Sequence, residues 1–520
     1  MFIQKQSSFL RKIKLLIVLA ILLGILLFYL IPVSARTGLT KSQPTLMGDP
    51  INLEFSTFLG GINQDEGLSI ATADDGSNYV IGDTESSNFP TRSAYDNSYN
   101  GLKDAYIAKF SASGSLLWCT LFGGNESDSG NDIAVTSNGD CYIVGSTNSK
   151  DFPVLNGFNE TYGGNSDVFV AKFSSTGSLI WSTYLGGDLS ESGKGISLTS
   201  DGSCVITGYT FSENFPTLNA YNATYNNQQD VFVTKFSSSG TLLWSTYFGG
   251  SNIDIGNGIS VVNEDSCYII GQTWSNNFPI QNAFDNSLGG SSDIFISKFS
   301  IDGSLLWSTF YGGDDHDVGY GIDCGEDGSC YFTGPTWSTN FPTLNAFDAF
   351  GKSGIDAFVV KFSESGNPIW STYLSGTGTD TAEGIAVASD GSCFVTGRTE
   401  STLFPTLDAY NSTYGGNSDA YITKFSSDGL LLSSSFLGGS GYDFGVEVAT
   451  NDDGSCVVVG STGSINFPTF NAYNATFSGC NDAFIMRFYD KSIEVPSFGF
   501  LTFIVIMPII LIISRRRRKQ

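Results

Sequence analysis

The sequence predicts an all-β protein, a seven-bladed β-propeller with four-stranded blades and a hydrophobic helix at each end of the chain. Three observations lead to this prediction. The central part repeats every 63 residues without an insertion, each repeat contains four short strand-like segments, and the first and last repeats complement each other. A four-stranded unit repeated around a ring is typical of propellers.

The composition agrees with many short strands joined by turns. The 520 residues include 61 Gly, 41 Phe and 23 Tyr, and only 15% are charged. Glycine suits turns, and aromatic residues favour strands. The formal net charge of −26 repels phosphate backbones, so the composition argues against a nucleic-acid partner.

The two ends of the chain predict attachment to a membrane. Residues 1–35 combine a basic start, an apolar run and a small-x-small pattern, Val33-Ser34-Ala35, which predicts a signal peptide or an uncleaved signal anchor. A linker follows at 36–51, and a second linker at 491–497 follows the repeats. The apolar run 498–514 predicts a C-terminal transmembrane helix, and the basic tail 515–520 predicts its cytoplasmic side. This arrangement resembles the C-terminal anchors of archaeal and bacterial surface proteins and places the propeller at the cell surface.

The repeat divides into four strands, a to d. In the repeat that includes Gly193 we predict strand a at 195–199, b at 204–208, c at 230–236 and d at 242–248. Short turns join a to b and c to d, and a loop of about twenty residues with a Phe-Pro pair joins b to c. A lone d-like segment, 54–59, precedes the first repeat, and the last repeat stops after its c strand at Phe488. The N-terminal strand is therefore predicted to complete the last blade and to close the ring.

Several motifs support a family resemblance. They are Asp-Gly-Ser-Cys-Phe-Val-Thr-Gly at 390–397, Asp-Ala-Tyr-Ile-Thr-Lys-Phe at 419–425 and Trp-Ser-Thr-Tyr-Leu-Gly-Gly at 181–187. Together they resemble the SBBP-type beta-propeller repeat, and they are also similar to the NHL-type propeller with a longer b–c loop. The resemblance covers 52–490 and implies the fold. It implies a surface or secreted location but no particular activity, because propellers serve many functions.

The constant period turns some polar positions into rings. The acidic ring follows the Gly-Gly-type pair in each d–a loop and consists of Asp65, Asp128, Glu191, Asp254, Asp317, Asp380 and Asp443. Hard cations need several oxygen ligands, so one hypothesis is a ring that binds Ca²⁺ or another cation. The alternative is that each carboxylate accepts hydrogen bonds from its own loop and stabilises the turn.

Two further rings bracket strand c. Its first residue is Asp104, Asp167, Asp230, Asp293, Asp356, Asp419 or Asp482. Near its end lies Lys109, Lys172, Lys235, Lys298, Lys361, Lys424 or Arg487. We expect the basic ring to form ion pairs within blades or between neighbours. The Phe-Pro loops are expected to share a face with the acidic ring, where they either bind a partner or fill gaps between blades.

Five sequons predict glycosylation outside the cell, with chance as the alternative in an Asn-, Ser- and Thr-rich chain: Asn125, Asn159, Asn222, Asn411 and Asn474. Six of the nine cysteines begin strand b and are predicted to be buried, and Cys324 is predicted to face Cys330. The single histidine, His316, leaves no triad, so no catalytic residue is predicted.

Three functional hypotheses remain. The leading one is a membrane-anchored, non-enzymatic module for binding or adhesion to a glycan, a surface-layer component or a cell-surface protein. The alternatives are a structural spacer of the cell envelope and an extracellular carbohydrate-active enzyme that uses carboxylates and Ca²⁺. An asymmetric cluster of acids would favour the enzyme, and an even spread of aromatic loops would favour binding.

Overall fold

The computed structural model describes residues 52–489, apart from Asn227 and Ser353. These residues form 28 strands, which assemble into seven four-stranded antiparallel sheets. None of the described residues belongs to a helix that could span a membrane. The predicted signal segment, 1–35, and the predicted transmembrane helix, 498–514, lie outside the described residues.

In chain order the strands are β1 (Asn52–Leu59), β2 (Asp65–Thr72), β3 (Asn78–Thr84), β4 (Asp104–Phe110), β5 (Leu116–Phe122), β6 (Asp128–Val135), β7 (Cys141–Thr147), β8 (Asp167–Phe173), β9 (Leu179–Leu185), β10 (Glu191–Leu198), β11 (Cys204–Thr210), β12 (Asp230–Phe236), β13 (Leu242–Phe248), β14 (Asp254–Val262), β15 (Ser266–Thr273), β16 (Asp293–Ser300), β17 (Leu305–Tyr311), β18 (Ile322–Cys324), β19 (Cys330–Thr336), β20 (Asp356–Phe362), β21 (Pro368–Leu374), β22 (Asp380–Val387), β23 (Cys393–Thr399), β24 (Asp419–Phe425), β25 (Leu431–Leu437), β26 (Asp443–Thr450), β27 (Cys456–Thr462) and β28 (Asp482–Tyr489).

The predicted seven-bladed propeller is confirmed. Blades one to six each use four consecutive strands, from β2–β5 to β22–β25. The seventh has the order β1-β28-β27-β26, in which Ser56 of β1 pairs with Met486 of β28. The N-terminal strand thus closes the ring and covers an edge that would otherwise be open.

The prediction for strand a was wrong about where the strand begins. In blade three it starts at Glu191, which pairs with Thr210, and not at residue 195. The d–a loop runs from Gly186 to Ser190, so the acidic-ring residue is the first residue of the strand and not part of the loop. The strand also contains a β-bulge, because the register shifts between Gly193 and Gly195.

This bulge recurs at the same place in the inner strand of every blade except the fifth. In blade five the inner strand is reduced to Ile322–Cys324, preceded by a single bridge between Asp317 and Thr336. Pro335 of the neighbouring strand has no N–H to donate, which explains the interrupted ladder.

The hydrophobic core is divided among the seams between blades. One cluster joins Ile107 and Phe122 of blade one to Ile143 and Phe169 of blade two. Equivalent clusters fill the other seams. The six cysteines that begin strand b are buried here as predicted, and Cys324 pairs directly with Cys330 across its hairpin with both thiols free.

Tryptophans latch each of blades one to five to the next blade. Trp244 of blade three donates its indole N–H to the Ile301 carbonyl of blade four (2.9 Å), and its ring packs on Gly303. Equivalent bonds run from Trp118, Trp181, Trp307 and Trp370. Five of the seven tryptophans therefore serve the scaffold.

Candidate ligand-binding face

The d–a loops and the starts of the b–c loops lie together, as expected, on what we call the upper face. The Asn63 N–H in a d–a loop donates to Ser86 Oγ in a b–c loop (2.9 Å), and the Ile62 N–H donates to Asn88 Oδ1 (3.0 Å). The a–b and c–d turns form the opposite, lower face. Further on, the b–c loop bridges to strand d, for example Leu155 with Ser182, so it covers the outer edge of its blade.

The acidic ring is enclosed at this face. Asp254 is fully buried and accepts the Gly250 N–H (2.6 Å), the Ser275 hydroxyl (2.9 Å) and the Thr273 hydroxyl. The same glycine N–H reaches the carboxylate in all seven blades. Each carboxylate thus joins its own d–a loop to the end of strand b.

A second carboxylate lies beside each member of the ring. Asp230 opens strand c and accepts the Asn226 N–H through Oδ2 (3.0 Å). A methyl group on Gly249 would lie 2.7 Å from Asp230 Oδ1 and 2.9 Å from Asp254 Oδ2, so only glycine fits between the two. The oxygen that faces the glycine is buried and accepts no hydrogen bond at Asp104, Asp230, Asp419 and Asp482.

Burial and mutual repulsion shift the protonation of these pairs. Burial raises the pKa of the Asp230 carboxyl to about 7, with a smaller contribution from the charge of Asp254. Burial likewise raises the pKa of Asp254 to about 6, against the lowering effect of its hydrogen bonds. Among the described residues no group of three or more His, Cys, Asp or Glu side chains has an arrangement that could hold a metal. The calcium hypothesis stays a prediction.

The basic ring lies at the other end of strand c and does not pair with the aspartates that open it. Lys172 contacts Asp140 of its own blade (3.3 Å), whereas Lys298 contacts Glu364 of the next (3.0 Å). Arg487 binds both Glu54 (2.8 Å) and Asp453 (2.7 Å). The basic ring therefore forms ion pairs both within a blade and between neighbouring blades, as expected.

The Phe-Pro phenylalanines are buried and fill gaps between blades. Phe152 lies 4.7 Å, centroid to centroid, from Phe122 of the preceding blade and 4.7 Å from Phe169 of its own. All seven are no more than 6% exposed. Their packing agrees with the expectation that these phenylalanines fill gaps between blades.

Four of the five sequons have a local role in the b–c loop. Asn159 accepts the Thr161 N–H (3.0 Å), and Asn222, Asn411 and Asn474 accept the equivalent N–H. Asn125 lies instead on the exposed d–a loop, where its N–H donates to Asp151 Oδ1 (3.0 Å). Glycosylation stays a prediction at all five.

The blades differ from one another where the inner strands meet at the axis. In six blades the bulge turns one residue toward a central cavity of about 300 Å³, and Tyr320 of blade five lines the same cavity. Around the ring this position is occupied by Leu68, Asn131, Lys194, Asn257, Tyr320, Glu383 and Val446.

This cavity contains ionisable groups that do not recur from blade to blade. Burial raises the pKa of Glu383 to about 7 and that of Glu447 well above its usual range, with added repulsion from Asp132 and Asp323 at Glu447. Asp132 and Asp323 accept N–H groups of an adjacent blade, from Ile196 (2.7 Å) and Val387 (2.8 Å). These two acids therefore tie blades together.

The mouth of the cavity on the upper face is also asymmetric. On one side Arg398 lies over the Phe444 ring (5.3 Å), next to Tyr442. Next to these, in blade one, Lys103 pairs with Asp83 (3.1 Å). Elsewhere on the upper face, blades three to five present Phe211, Trp274, His316 and Trp337. The rings and charges of this mouth are unlike those of any single repeat.

Sequence reasoning missed this mouth and the cavity because it looked for positions that stay constant. The positions that vary from repeat to repeat carried the signal, since they stand out once the repeats are aligned at the 63-residue period. The position of Trp337, for example, holds Glu85, Asn148 and Gly463 in other blades. The bulge itself, which turns one such position toward the axis, has no clear mark in the sequence.

A family model described as Beta-propeller repeat (SBBP) matches residues 117–153, 243–279 and 369–405. Each match runs from strand d of one blade to the Phe-Pro pair of the next. Each match therefore contains one latch tryptophan, one residue of the acidic ring and one strand b.

Two curated relatives are also similar to the chain. An uncharacterized WD repeat-containing protein, L264, of Acanthamoeba polyphaga mimivirus is 21% identical over 84% of this chain and 37% of its own length. The regulatory protein FlaEY of Caulobacter vibrioides is 28% identical over 33% of this chain and 18% of its own length. The chain thus spans less than two fifths of either relative.

Solved structures with a similar arrangement have low sequence identity. The Pan2 WD40 domain of Neurospora crassa is 9% identical, with a TM-score of 0.41, and the match covers 84% of this chain and 97% of that one. The quinohemoprotein alcohol dehydrogenase ADHIIG of Pseudomonas putida is 11% identical, with a TM-score of 0.38, over 86% and 77% of the two chains.

Proposed function

Because the chain is an SBBP-type beta-propeller repeat protein, we propose that it is a non-enzymatic binding module whose upper face takes up a glycan or protein partner outside the cell. The observation that carries this proposal is the distribution of sequence differences among the blades. The scaffold positions repeat, whereas the mouth of the cavity holds a different side chain in almost every blade. A specific site on a symmetric scaffold requires such a departure from symmetry.

The alternatives account less well for this distribution. A spacer of the cell envelope would need no variation at the mouth. A carbohydrate-active enzyme built on the acidic ring would need carboxylates that reach its substrate, but these are fully buried and bonded to their own loops. A curated relative named as a WD repeat-containing protein is consistent with a binding or scaffold role.

We place the propeller outside the cell on the strength of its two hydrophobic ends. Cys480 gives a test, since it is the exposed one of the nine cysteines. A membrane-impermeant maleimide added to intact cells should label the wild-type chain and leave Cys480→Ser unlabelled. Labelling that appears only after cell lysis would contradict the proposed location.

The binding face is tested by paired variants of the full-length chain. Arg398→Ala with Tyr442→Ala alters the mouth on the upper face, and Thr176→Ala with Asp428→Ala alters exposed turns of the lower face. Binding is read out on a glycan array and by cross-linking to surface proteins of intact cells. We expect the upper-face variant to lose at least tenfold in affinity, about 1.4 kcal/mol, and the lower-face variant to bind as wild type. The reverse result would overturn the proposal.

A further inference from the structure

Two tryptophans do not belong to the scaffold. Trp274 and Trp337 directly follow strand b in blades four and five, where blade one has Glu85 and blade six has Glu400. Unlike the five latch tryptophans, neither donates its indole N–H to an acceptor within the described part of the chain. Trp337 is 36% exposed, and Phe211, at the same position in blade three, is 37% exposed. An aromatic ring left at the surface without a scaffold role points to a binding function.

The only histidine of the chain lies between these two rings. Its centroid is 5.5 Å from the Trp274 ring and 4.8 Å from the Trp337 ring. The Ser292 hydroxyl hydrogen-bonds to His316 Nδ1. The backbone N–H of Trp337 donates to the backbone carbonyl of His316 (2.9 Å). Three rings from two blades thereby pack against one another at interplanar angles of 37° and 56°, and we call them the aromatic platform.

Polar groups surround the platform. Asp314 and Asp315 are exposed and adjoin His316 in the chain. The Asp314 N–H donates to Asn340 Oδ1 (3.1 Å), and the Asp315 N–H donates to Ser338 Oγ (2.9 Å), so the backbone that bears these carboxylates is anchored. Burial lowers the pKa of His316, which favours the neutral imidazole, against the opposing effect of the Asp315 charge. The site thus combines apolar ring faces, exposed carboxylate acceptors on an anchored backbone, and indole donors.

We propose that the aromatic platform of Trp274, His316 and Trp337 is a subsite for a neutral saccharide. This proposal rests on the proposed function and names the class of ligand. Aromatic faces match the C–H faces of a pyranose ring, and the surrounding carboxylates accept its hydroxyl groups. Rigid aromatic side chains provide such contact at a small cost in conformational entropy.

Charge decides between neutral and anionic saccharides. The chain has 51 acidic and 25 basic residues, and two exposed aspartates adjoin the platform. A uronate or sulfated sugar would be repelled at this site. The apolar area is confined to a few rings bordered by carboxylates, whereas a protein interface is expected to bury a larger apolar centre. A neutral glycan is therefore the occupant that fits the site.

The test uses the full-length chain and saturation-transfer NMR with cello-, malto-, manno- and chitohexaose and with hexagalacturonate. We expect at least one neutral hexasaccharide to bind with a Kd of about 1 mM or lower. Trp337→Ala and Trp274→Ala should each weaken that binding by about tenfold or more, and Trp337→Phe should retain part of it. The matched control is Phe350→Ala, which removes a 77% exposed ring from the b–c loop of blade five and leaves the platform intact.

Circular dichroism and the melting temperature of each variant show whether it is folded. Three results would overturn the proposal: no neutral hexasaccharide binds at millimolar concentration, hexagalacturonate alone binds, or the tryptophan variants bind as wild type. If the partner captured at the upper face is a protein that Trp337→Ala still binds, the proposed function stands and the saccharide subsite does not. If the variant Arg398→Ala with Tyr442→Ala binds the partner as wild type does, the proposed function itself is overturned.

Discussion

At the scale of single residues, the acidic ring shows how one side chain serves both a turn and a charge balance. Asp254 satisfies an N–H and two hydroxyl groups, and Asp230 faces it across Gly249 with one oxygen that accepts no bond. Ionising both of these buried carboxyl groups raises the free energy of the folded state, because burial and mutual repulsion disfavour two adjacent charges. The folded state therefore favours a proton on the pair. The sequence revealed both rings, but not that they face each other.

The first prediction concerns pH. The pKa of Asp230 is raised to about 7 in the folded state, above the unfolded value near 3.9. The stability that protonated Asp230 contributes to the folded state is therefore fully present below about pH 4 and is lost as the pH rises through 7. We expect the melting temperature to fall between pH 5 and pH 8. Asp230→Asn removes the charge, keeps an acceptor for the Asn226 N–H and should stabilise the protein at pH 8 by about 1 kcal/mol.

Calorimetry at pH 5 and pH 8 measures both effects. Glu326→Gln alters an exposed carboxylate in a lower-face turn and serves as the control, with an unchanged pH profile. A melting temperature that rises with pH in the wild type would contradict the proton-sharing interpretation. The same scans with added Ca²⁺ test the calcium hypothesis, since a large rise at pH 8 would mean that a cation neutralises the pairs instead.

At the scale of elements, the blades are joined by a contact between a large ring and a turn that only glycine can form. Gly303 in the c–d turn of blade four has a φ of 88°, and a methyl group there would lie 3.0 Å from the Trp244 ring of blade three. Both residues recur in the sequence at intervals of 63, the tryptophan from Trp118 to Trp370 and the turn glycine from Gly114 to Gly429. Their contact is between blades, and a periodic sequence does not reveal which neighbour a side chain meets.

The second prediction concerns this latch. Gly303→Ala should be destabilising, because alanine at positive φ costs roughly 1–2 kcal/mol and the added methyl group crowds the indole. Gly202→Ala is the matched control, since Gly202 has a φ of 76° in an a–b turn but a methyl group there would lie farther from its neighbours, 3.3 Å from Ser238 Cβ and 3.5 Å from the Tyr142 hydroxyl oxygen. We expect Gly303→Ala to cost about 1 kcal/mol more than Gly202→Ala in urea unfolding. Equal costs would mean that the packing of the ring contributes nothing.

At the scale of the whole molecule, stability depends on closing the ring. β1 comes from the start of the described chain and pairs with β28 from its end. It buries Phe55, Phe58 and Leu59, each at most 1% exposed. This closure was predicted from the order of strands, because the count of strand types balanced only if the N-terminal strand joined the last blade.

The third prediction follows from this closure. Deletion of residues 52–59 should lower the free energy of unfolding by about 5 kcal/mol, given roughly 1.5–3 kcal/mol for each buried apolar side chain. It also exposes β28 as an unpaired edge, so light scattering should detect self-association. Deletion of residues 40–47, of equal length, leaves β1 intact and should change neither measurement. A deleted chain that stays monomeric and melts as wild type would contradict the role of closure.

The sequence by itself determined the fold, since a period of 63 residues with four strand segments per repeat and complementary ends allows few arrangements other than a closed ring. Periodicity reports what the blades share, namely the buried Phe-Pro rings and the paired carboxylates of all seven and the latch tryptophans of five. The tertiary structure alone decided which non-repeating residues meet. Residues that are 63 or more positions apart in the chain, such as Trp274 and Trp337 around His316, become neighbours only when adjacent blades pack, and a bulge without a sequence signature directs Glu383 and Lys194 toward the axis.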